Sequence, residues 1–102
     1  MAVKILIKRK FKRPDSVEIS KALREARHGA MEQEGYISSE TLWDYNHPEK
    51  VLVASMWHNF ENWTNWKNSE QRKAIEVNYK HLMDGPEEYE YYVIGIYPHE
   101  QK

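Results

Sequence analysis

The sequence predicts a single α+β domain whose elements follow in the order β-α-β-β-α-β. The chain has 102 residues and a mass of 12.3 kDa, which is enough for one hydrophobic core. Proline and glycine divide it into short segments, and these segments alternate between a two-residue and a 3.6-residue apolar repeat. We therefore expect four strands and two helices in one domain over residues 1–102.

The first half of the chain has the pattern of a strand, a helix and a second strand. Residues 3–11 alternate between apolar and polar side chains and are rich in β-branched residues. Asp15 and Glu18 have the spacing of a helix N-terminus, and Gly35 is the predicted helix end. Residues between them form a narrow apolar stripe built mostly of alanine: Ile19, Ala22, Leu23, Ala26 and Ala30. Residues 36–45 alternate again and are the second strand.

The second half predicts a strand, a broken helix and a last strand. Residues 51–57 are a nearly continuous apolar run, and a short turn joins them to the second strand as an antiparallel hairpin. Asn59 is the predicted cap of the second helix, and Ser69 interrupts that helix and caps its continuation. A Gly-Pro pair at 85–86 ends it, and residues 89–97 form the fourth strand. This order is ferredoxin-like, with both helices on one face of a four-stranded antiparallel sheet.

The other face of this sheet is predicted to need a partner. The chain carries four Trp, seven Tyr and two Phe, and every predicted strand has large apolar or aromatic groups at both odd and even positions. A sheet with one face in water does not require this pattern. We therefore expect a homodimer in which two such sheets pack face to face.

Composition excludes several classes of function. The 15 Lys and Arg balance 16 Asp and Glu, for a net charge of -1, so no overall charge draws the chain to nucleic acid or to an anionic membrane. The absence of cysteine excludes disulfides and thiolate metal sites. No apolar run approaches the roughly 20 residues of a membrane span, and the first residues do not resemble a signal peptide. We expect a cytoplasmic protein.

Basic side chains are concentrated at the start of the chain. The first 14 residues contain six of them and no acidic residue: Lys4, Lys8, Arg9, Lys10, Lys12 and Arg13. The simplest explanation is protection of a strand against unwanted edge pairing. In a ferredoxin-like sheet the first and last strands neighbour the same region, so Glu87, Glu88 and Glu90 are placed to meet this basic segment.

Two segments resemble a known family. Residues 51–57, followed by Phe60-Glu61-Asn62-Trp63 and Trp66-Lys67-Asn68-Ser69, are similar to the third strand and second helix of antibiotic biosynthesis monooxygenase (ABM) domains. Residues 85–90 resemble the start of that family's last strand. The resemblance implies a dimeric α/β barrel with a cavity between the sheet and helices of each subunit. Some members oxygenate polycyclic phenols or quinols with no metal or flavin, and relatives in the wider superfamily bind and degrade haem.

Cofactor-free oxygenation of a small aromatic compound needs an aromatic pocket, a base and a donor to the resulting anion. The resemblance makes Trp66 the residue that stacks on the substrate, with Trp63 and Trp57 as pocket walls. The candidate bases are His81 and His58, because an unperturbed imidazole titrates near pH 6.5. The polar candidates that could orient an oxyanion are Asn59, Asn62 and Tyr79.

Each candidate also has a simpler structural explanation. Large aromatic side chains dominate small cores, so the tryptophans can be packing residues. His81 stands near the end of the predicted second helix, where the helix dipole favours histidine whatever its function. An enzyme predicts an enclosed cavity in which a titratable group points inward beside an aromatic wall. If Trp66, His81 and Tyr79 are instead packed solid or exposed, a non-catalytic ligand-binding or structural dimer is indicated. Both functions stay open at this point.

Haem and metal sites are not predicted. Haem-degrading relatives use an Asn near the end of the first strand and a His about ten residues after the helix Trp. Residues 1–13 contain no Asn, and Glu76 and Lys73 stand ten residues after Trp66 and Trp63. No two histidines stand three or four residues apart on a helix, so no zinc motif is present. We therefore expect no cofactor.

Overall fold

A computed structural model describes residues 1–14 and 17–95 and contains a four-stranded antiparallel sheet with the strand order β2-β3-β1-β4. The strands are β1 Val3–Lys10, β2 Tyr36–Trp43, β3 Lys50–Trp57 and β4 Glu88–Val93. The helices are α1 Val17–Met31, α2 Phe60–Lys67 and α3 Glu70–Glu76, with a 3-10 turn at Lys80–Leu82. The predicted α+β order and ferredoxin-like topology are confirmed.

The predicted break in the second helix is present and has the predicted caps. The Asn59 side chain accepts a hydrogen bond from the backbone N–H of Asn62 at 2.8 Å, and Ser69 accepts one from Arg72 at 3.1 Å. These bonds satisfy backbone donors that a helix start leaves free. Asn68 thus ends the first short helix, and Ser69 begins the next.

Tyr79 lies beyond α3, although the second helix was predicted to continue to the Gly-Pro pair at 85–86. After Glu76 the chain continues in tight turns, in which Tyr79 donates its backbone N–H to the Glu76 carbonyl at 3.1 Å. Val77 and Asn78 are weaker helix formers than the residues before them. The side chain of Tyr79 is nevertheless buried.

Helix α1 also ends earlier than predicted. It stops at Met31, and Gly35 instead takes a φ of +83° in the turn that begins β2, a conformation that favours glycine. The Gly35 carbonyl accepts a hydrogen bond from the backbone N–H of His58 at 2.8 Å. The predicted cap Asp15 and the last residues of the predicted fourth strand, 96–97, lie outside the described residues.

The helices pack on one face of the sheet around two apolar clusters. The first cluster joins β1 to the tryptophans and α1: Val3, Ile5, Ile7, Ala30, Trp57, Trp63 and Trp66. The second lies toward the other end of the sheet: Phe11, Ile19, Ala22, Leu23, Val51, Tyr79 and Met83. Gly29 allows α1 to approach closely, because a Cβ there would lie 2.6 Å from Cη2 of Trp66.

The opposite face of the sheet, called here the open face, alternates apolar and charged side chains. Strand register places five large apolar residues on it: Leu6, Leu42, Leu52, Met56 and Tyr92. Leu42 and Tyr92 are 44% and 51% exposed. In the described part of the chain, no helix is long and apolar enough to cross a bilayer.

Candidate functional site

A small cavity, the tryptophan cavity, lies between α1 and the helix-facing side of the sheet. Its volume is about 40 Å³. Trp57, Trp63 and Trp66 line it and are buried, whereas Arg27 of α1 also lines it and is exposed. Half-buried Ser39 on the edge strand β2 completes this outer side. The cavity therefore leads inward from the gap between α1 and β2.

The three tryptophans serve both as core and as cavity wall. The ring of Trp63 meets that of Trp57 edge-on, with their centroids 6.0 Å apart. Nε1 of Trp57 donates to Oγ of Ser55 at 3.1 Å, but Nε1 of Trp63 is buried without an acceptor among the described residues. A buried N–H without an acceptor is costly, and Trp63 is one of the residues that line the cavity.

Next to the tryptophan cavity is a buried arginine cluster, made of Arg9, Arg72, Glu76, Tyr79 and Glu87. Both arginines are only 4% exposed, and both also line the cavity. Glu87 is at the centre: Nε of Arg9 donates to Oε2 at 3.1 Å and Nη2 of Arg72 donates to the same oxygen at 3.2 Å. The hydroxyl of Tyr79 donates to its other oxygen at 3.1 Å. Because Glu76 pairs with Arg72, two positive charges face two negative charges.

Burial and neighbouring charges raise the pKa values of Arg72, Tyr79 and Tyr89. Burial raises the pKa of Tyr79 to about 12, so its phenol stays a donor to Glu87. Burial acts to lower the pKa of Arg72, but Coulomb interactions with Tyr79, Glu87 and Tyr89 outweigh it and raise that pKa overall. Burial also raises the pKa of Tyr89, whose hydroxyl accepts from Arg72 at 3.4 Å. None of these three groups is a base near pH 7.

The predicted substrate-binding residues do not all meet in one place. Trp57, Trp63 and Trp66 come together at the cavity as expected. Tyr79 is buried in the arginine cluster and is absent from the cavity lining. Asn62 packs against Gly35, where an added Cβ would lie 2.6 Å from the Cβ of Asn62, and it is likewise absent from the lining.

The two candidate bases lie on the surface. His58 is exposed at the junction of β3 and α2, and His81 is exposed in the 3-10 turn, where it borders an open groove with Lys12 and Arg13. The lining of the tryptophan cavity contains no Asp, Glu or His among the described residues. In that same part of the chain, no three His, Asp or Glu side chains are grouped to hold a metal.

One pair of the arginine cluster, Arg9 and Glu87, could be anticipated from the sequence. The basic first strand was expected to meet the glutamates near the fourth, and Arg9 pairs with Glu87 at 3.1 Å while Lys8 pairs with Glu90 at 3.3 Å. Arg72 was missed. Its position three residues before Ile75 places both side chains on one helical face, and that spacing was the available signal.

Comparison with known proteins gives the family. The model of the antibiotic biosynthesis monooxygenase family matches residues 2–77, about three quarters of the chain. The chain belongs to this family. No curated protein matches the chain in sequence, so the family assignment rests on the family model, and the structural likeness supports the fold.

Solved structures of similar fold include family members and others. A protein from Nitrosomonas europaea named as an antibiotic biosynthesis monooxygenase is 13% identical with a TM-score of 0.83, over 95% of this chain and 92% of that one. SnoaB from Streptomyces nogalater, described as a cofactor-independent oxygenase, is 8% identical with a TM-score of 0.82, over 94% and 95%. A conserved protein from Methanosarcina mazei Go1 is 17% identical with a TM-score of 0.81, over 90% and 91%. At these identities the likeness concerns the fold alone.

Proposed function

We propose that this chain is an ABM-type monooxygenase that oxidises a small aromatic or quinol-like compound with molecular oxygen and without a cofactor. The observation that carries the proposal is the tryptophan cavity, in which three indole rings and two buried arginines line one space. Family membership and the fold shared with SnoaB add support. A cytoplasmic location, favoured by the cysteine-free composition, belongs to the same proposal.

The proposed reaction needs no external reductant, because the substrate supplies the electrons. In an anthrone-type substrate the methylene carbon loses a proton, and oxygen oxidises the resulting anion. Two C–H bonds are broken, one oxygen atom becomes a carbonyl on that carbon, and the other leaves as water with the two hydrogens. In a phenol or quinol-like substrate the first proton comes from a hydroxyl, one O–H and one ring C–H bond are broken, and the product is a quinone and water. The lining residues that could stabilise the anion are the arginines and Trp63, which are hydrogen-bond donors.

Substrate binding requires the cavity to widen. Its volume of about 40 Å³ is far below the roughly 150 Å³ of an apolar cavity that binds benzene. Ala26 and Ala30 of α1 form one wall, and Ser39 and Thr41 of the edge strand β2 form another. These walls flank the gap by which the cavity leads inward, so we expect α1 to move away from β2 when an aromatic compound binds.

Proton removal is the step for which the cavity lining supplies no residue. His81 and His58 stay the candidate bases, and both lie outside the cavity. Alternatively, the arginines lower the pKa of the bound substrate so that water takes the proton. Trp66 and Tyr79 are buried and His81 is exposed, and the described lining contains no acid or histidine. This is the pattern expected of a non-catalytic protein, so it favours a second candidate function, binding of a small aromatic ligand without catalysis.

Oxygen uptake with a panel of dihydroxynaphthalenes and anthrones tests the oxygenase. Trp66→Phe is the suitable variant, since Trp66→Ala in this buried position would cost about 3–5 kcal/mol of stability. We expect substrate-dependent uptake, reduced about tenfold in Trp66→Phe by loss of indole stacking. If a histidine is the base, His81→Ala or His58→Ala should reduce kcat by about 100-fold, with exposed His47→Ala as the control.

The outcomes separate the two functions. Uptake that is stoichiometric with carbonyl product supports the oxygenase. Absence of uptake with every member of the panel contradicts it, and saturable quenching of tryptophan fluorescence by the same compounds would then support the binding function.

We further propose that two chains form a homodimer by pairing their open faces. The five apolar residues of that face alternate with charged ones, and Leu42 and Tyr92 are about half exposed in the single chain, as expected of a surface that a partner covers.

Light scattering tests the dimer and should give twice the 12.3 kDa of one chain. Leu52→Glu should give monomers, because dimerisation would bury the charge of the new glutamate at the interface. Val77→Glu, at an exposed position beyond α3, should leave the dimer intact. A wild-type mass of one chain at micromolar concentration contradicts the proposal.

A further inference from the structure

We propose that the tryptophan cavity selects ligands that carry an oxyanion on an aromatic ring, and that Arg27 determines this selectivity. The inference rests on the proposed function insofar as it takes the tryptophan cavity to be the ligand site, and it adds the chemical class of the ligand. Three observations lead to it: the donor character of the lining, the unused N–H of Trp63 and the uncompensated charge of Arg27.

The polar groups in the cavity lining are mostly donors. Three arginines, Arg9, Arg27 and Arg72, contribute to it, and within the described residues no carboxylate does. Arginine has five N–H donors and no acceptor. A ligand that presents acceptor oxygens is therefore complementary to this lining, whereas one that presents only donors is not.

Trp63, which also lines the cavity, has a side-chain hydrogen-bond donor without an acceptor in the part of the chain that the structure describes. Its side chain is 1% exposed, and its Nε1 has no hydrogen-bond partner among the described residues. Indole nitrogen is a donor only, so an acceptor is the only kind of group that can satisfy it. A ligand oxygen that reached this N–H when the cavity widened would remove the cost of the unpaired donor.

Arg27 differs from the other two arginines in its charge balance. Arg9 pairs with Glu87, and Arg72 pairs with Glu76 and Glu87, so their charges are compensated inside the protein. Arg27 is exposed at the outer side of the cavity, and no described residue forms an ion pair with it. Its charge is free to attract an anion, and its planar guanidinium matches a carboxylate or phenolate oxygen.

A matched pair of ligands isolates the effect of charge. The probes are 2-naphthoate and 2-naphthamide, which have nearly the same shape and differ in charge, titrated by calorimetry under nitrogen so that no turnover occurs. We expect the wild type to bind the carboxylate at least tenfold more tightly than the amide. Arg27→Gln should weaken carboxylate binding about tenfold and leave amide binding unchanged. Trp63→Phe, which keeps a ring but removes the N–H, should weaken both probes severalfold, because both present an oxygen acceptor.

Arg24→Gln is the control, since Arg24 lies on the same helix but borders a different groove, between α1 and α3. An equal loss in Arg24→Gln and Arg27→Gln would show a general charge effect and would overturn the proposal. Equal affinity of the two probes, or binding of neither, would also overturn it. Carboxylate selectivity without oxygen uptake would support this inference and contradict the oxygenase. Oxygen uptake without carboxylate selectivity would support the oxygenase and contradict this inference.

Discussion

Replacing Glu87 with glutamine is expected to lower the free energy of unfolding by about 3–5 kcal/mol, the cost of leaving buried charges without a partner. Glu87 accepts hydrogen bonds from Arg9, Arg72 and Tyr79, and its side chain is only 12% exposed. Glutamine has the same shape but no charge, and its amide group cannot accept from two arginines and a phenol. Arg9 would then face no carboxylate.

The measurement is urea unfolding followed by tryptophan fluorescence. Glu88→Gln is the control: this neighbour is exposed, and its loss should change stability by less than about 0.5 kcal/mol. A Glu87→Gln variant as stable as Glu88→Gln would show that water, rather than Glu87, solvates the arginines.

Gly35→Ala is expected to lower the free energy of unfolding by about 3 kcal/mol, for two additive reasons. Gly35 has a φ of +83°, which costs a residue with a side chain about 1–2 kcal/mol. In addition, the new Cβ would lie 2.6 Å from the Cβ of Asn62. That atom is attached directly to α2, whose start is held by the Asn59 cap, so relief requires the helix to shift, at about 1–3 kcal/mol.

Gly85→Ala separates the two contributions. Gly85 has a φ of +101°, but an added Cβ there would meet no atom within 4 Å. We expect this variant to lose only the conformational part, about 1–2 kcal/mol, in thermal or urea unfolding. If the two variants lose the same stability, contact between Gly35 and Asn62 does not fix the position of α2.

The elements of this fold could be predicted because their signals are local. The alternation of residues 3–11 and the apolar run of residues 51–57 indicate strands, and Asn59 and Ser69 cap the two short helices where the sequence places them. The end of α1 was misplaced because a glycine after a helix can either end it or start the next strand. Strand pairing at Gly35 decides between these alternatives, and that pairing is a tertiary contact.

The candidate site was predictable only in part, for a related reason. The sequence identifies the tryptophans that meet at the cavity, because they lie within ten residues of one another on β3 and α2. It does not specify how tightly α1 closes over them, which depends on Gly29 and on the alanine stripe acting together. Nor does it bring Arg72 to Glu87, since that contact joins residues 15 positions apart on different elements and is tertiary.

The arginine cluster joins parts of the chain that are made at very different times. Arg9 lies in the first strand, and its partner Glu87 comes 78 residues later. Until the ribosome has released that glutamate, Arg9 has no carboxylate to accompany it into the interior, and burial is unfavourable. We therefore expect an unfinished chain to gain little from closing its core, and the arginine cluster to form only when both Arg9 and Glu87 are present.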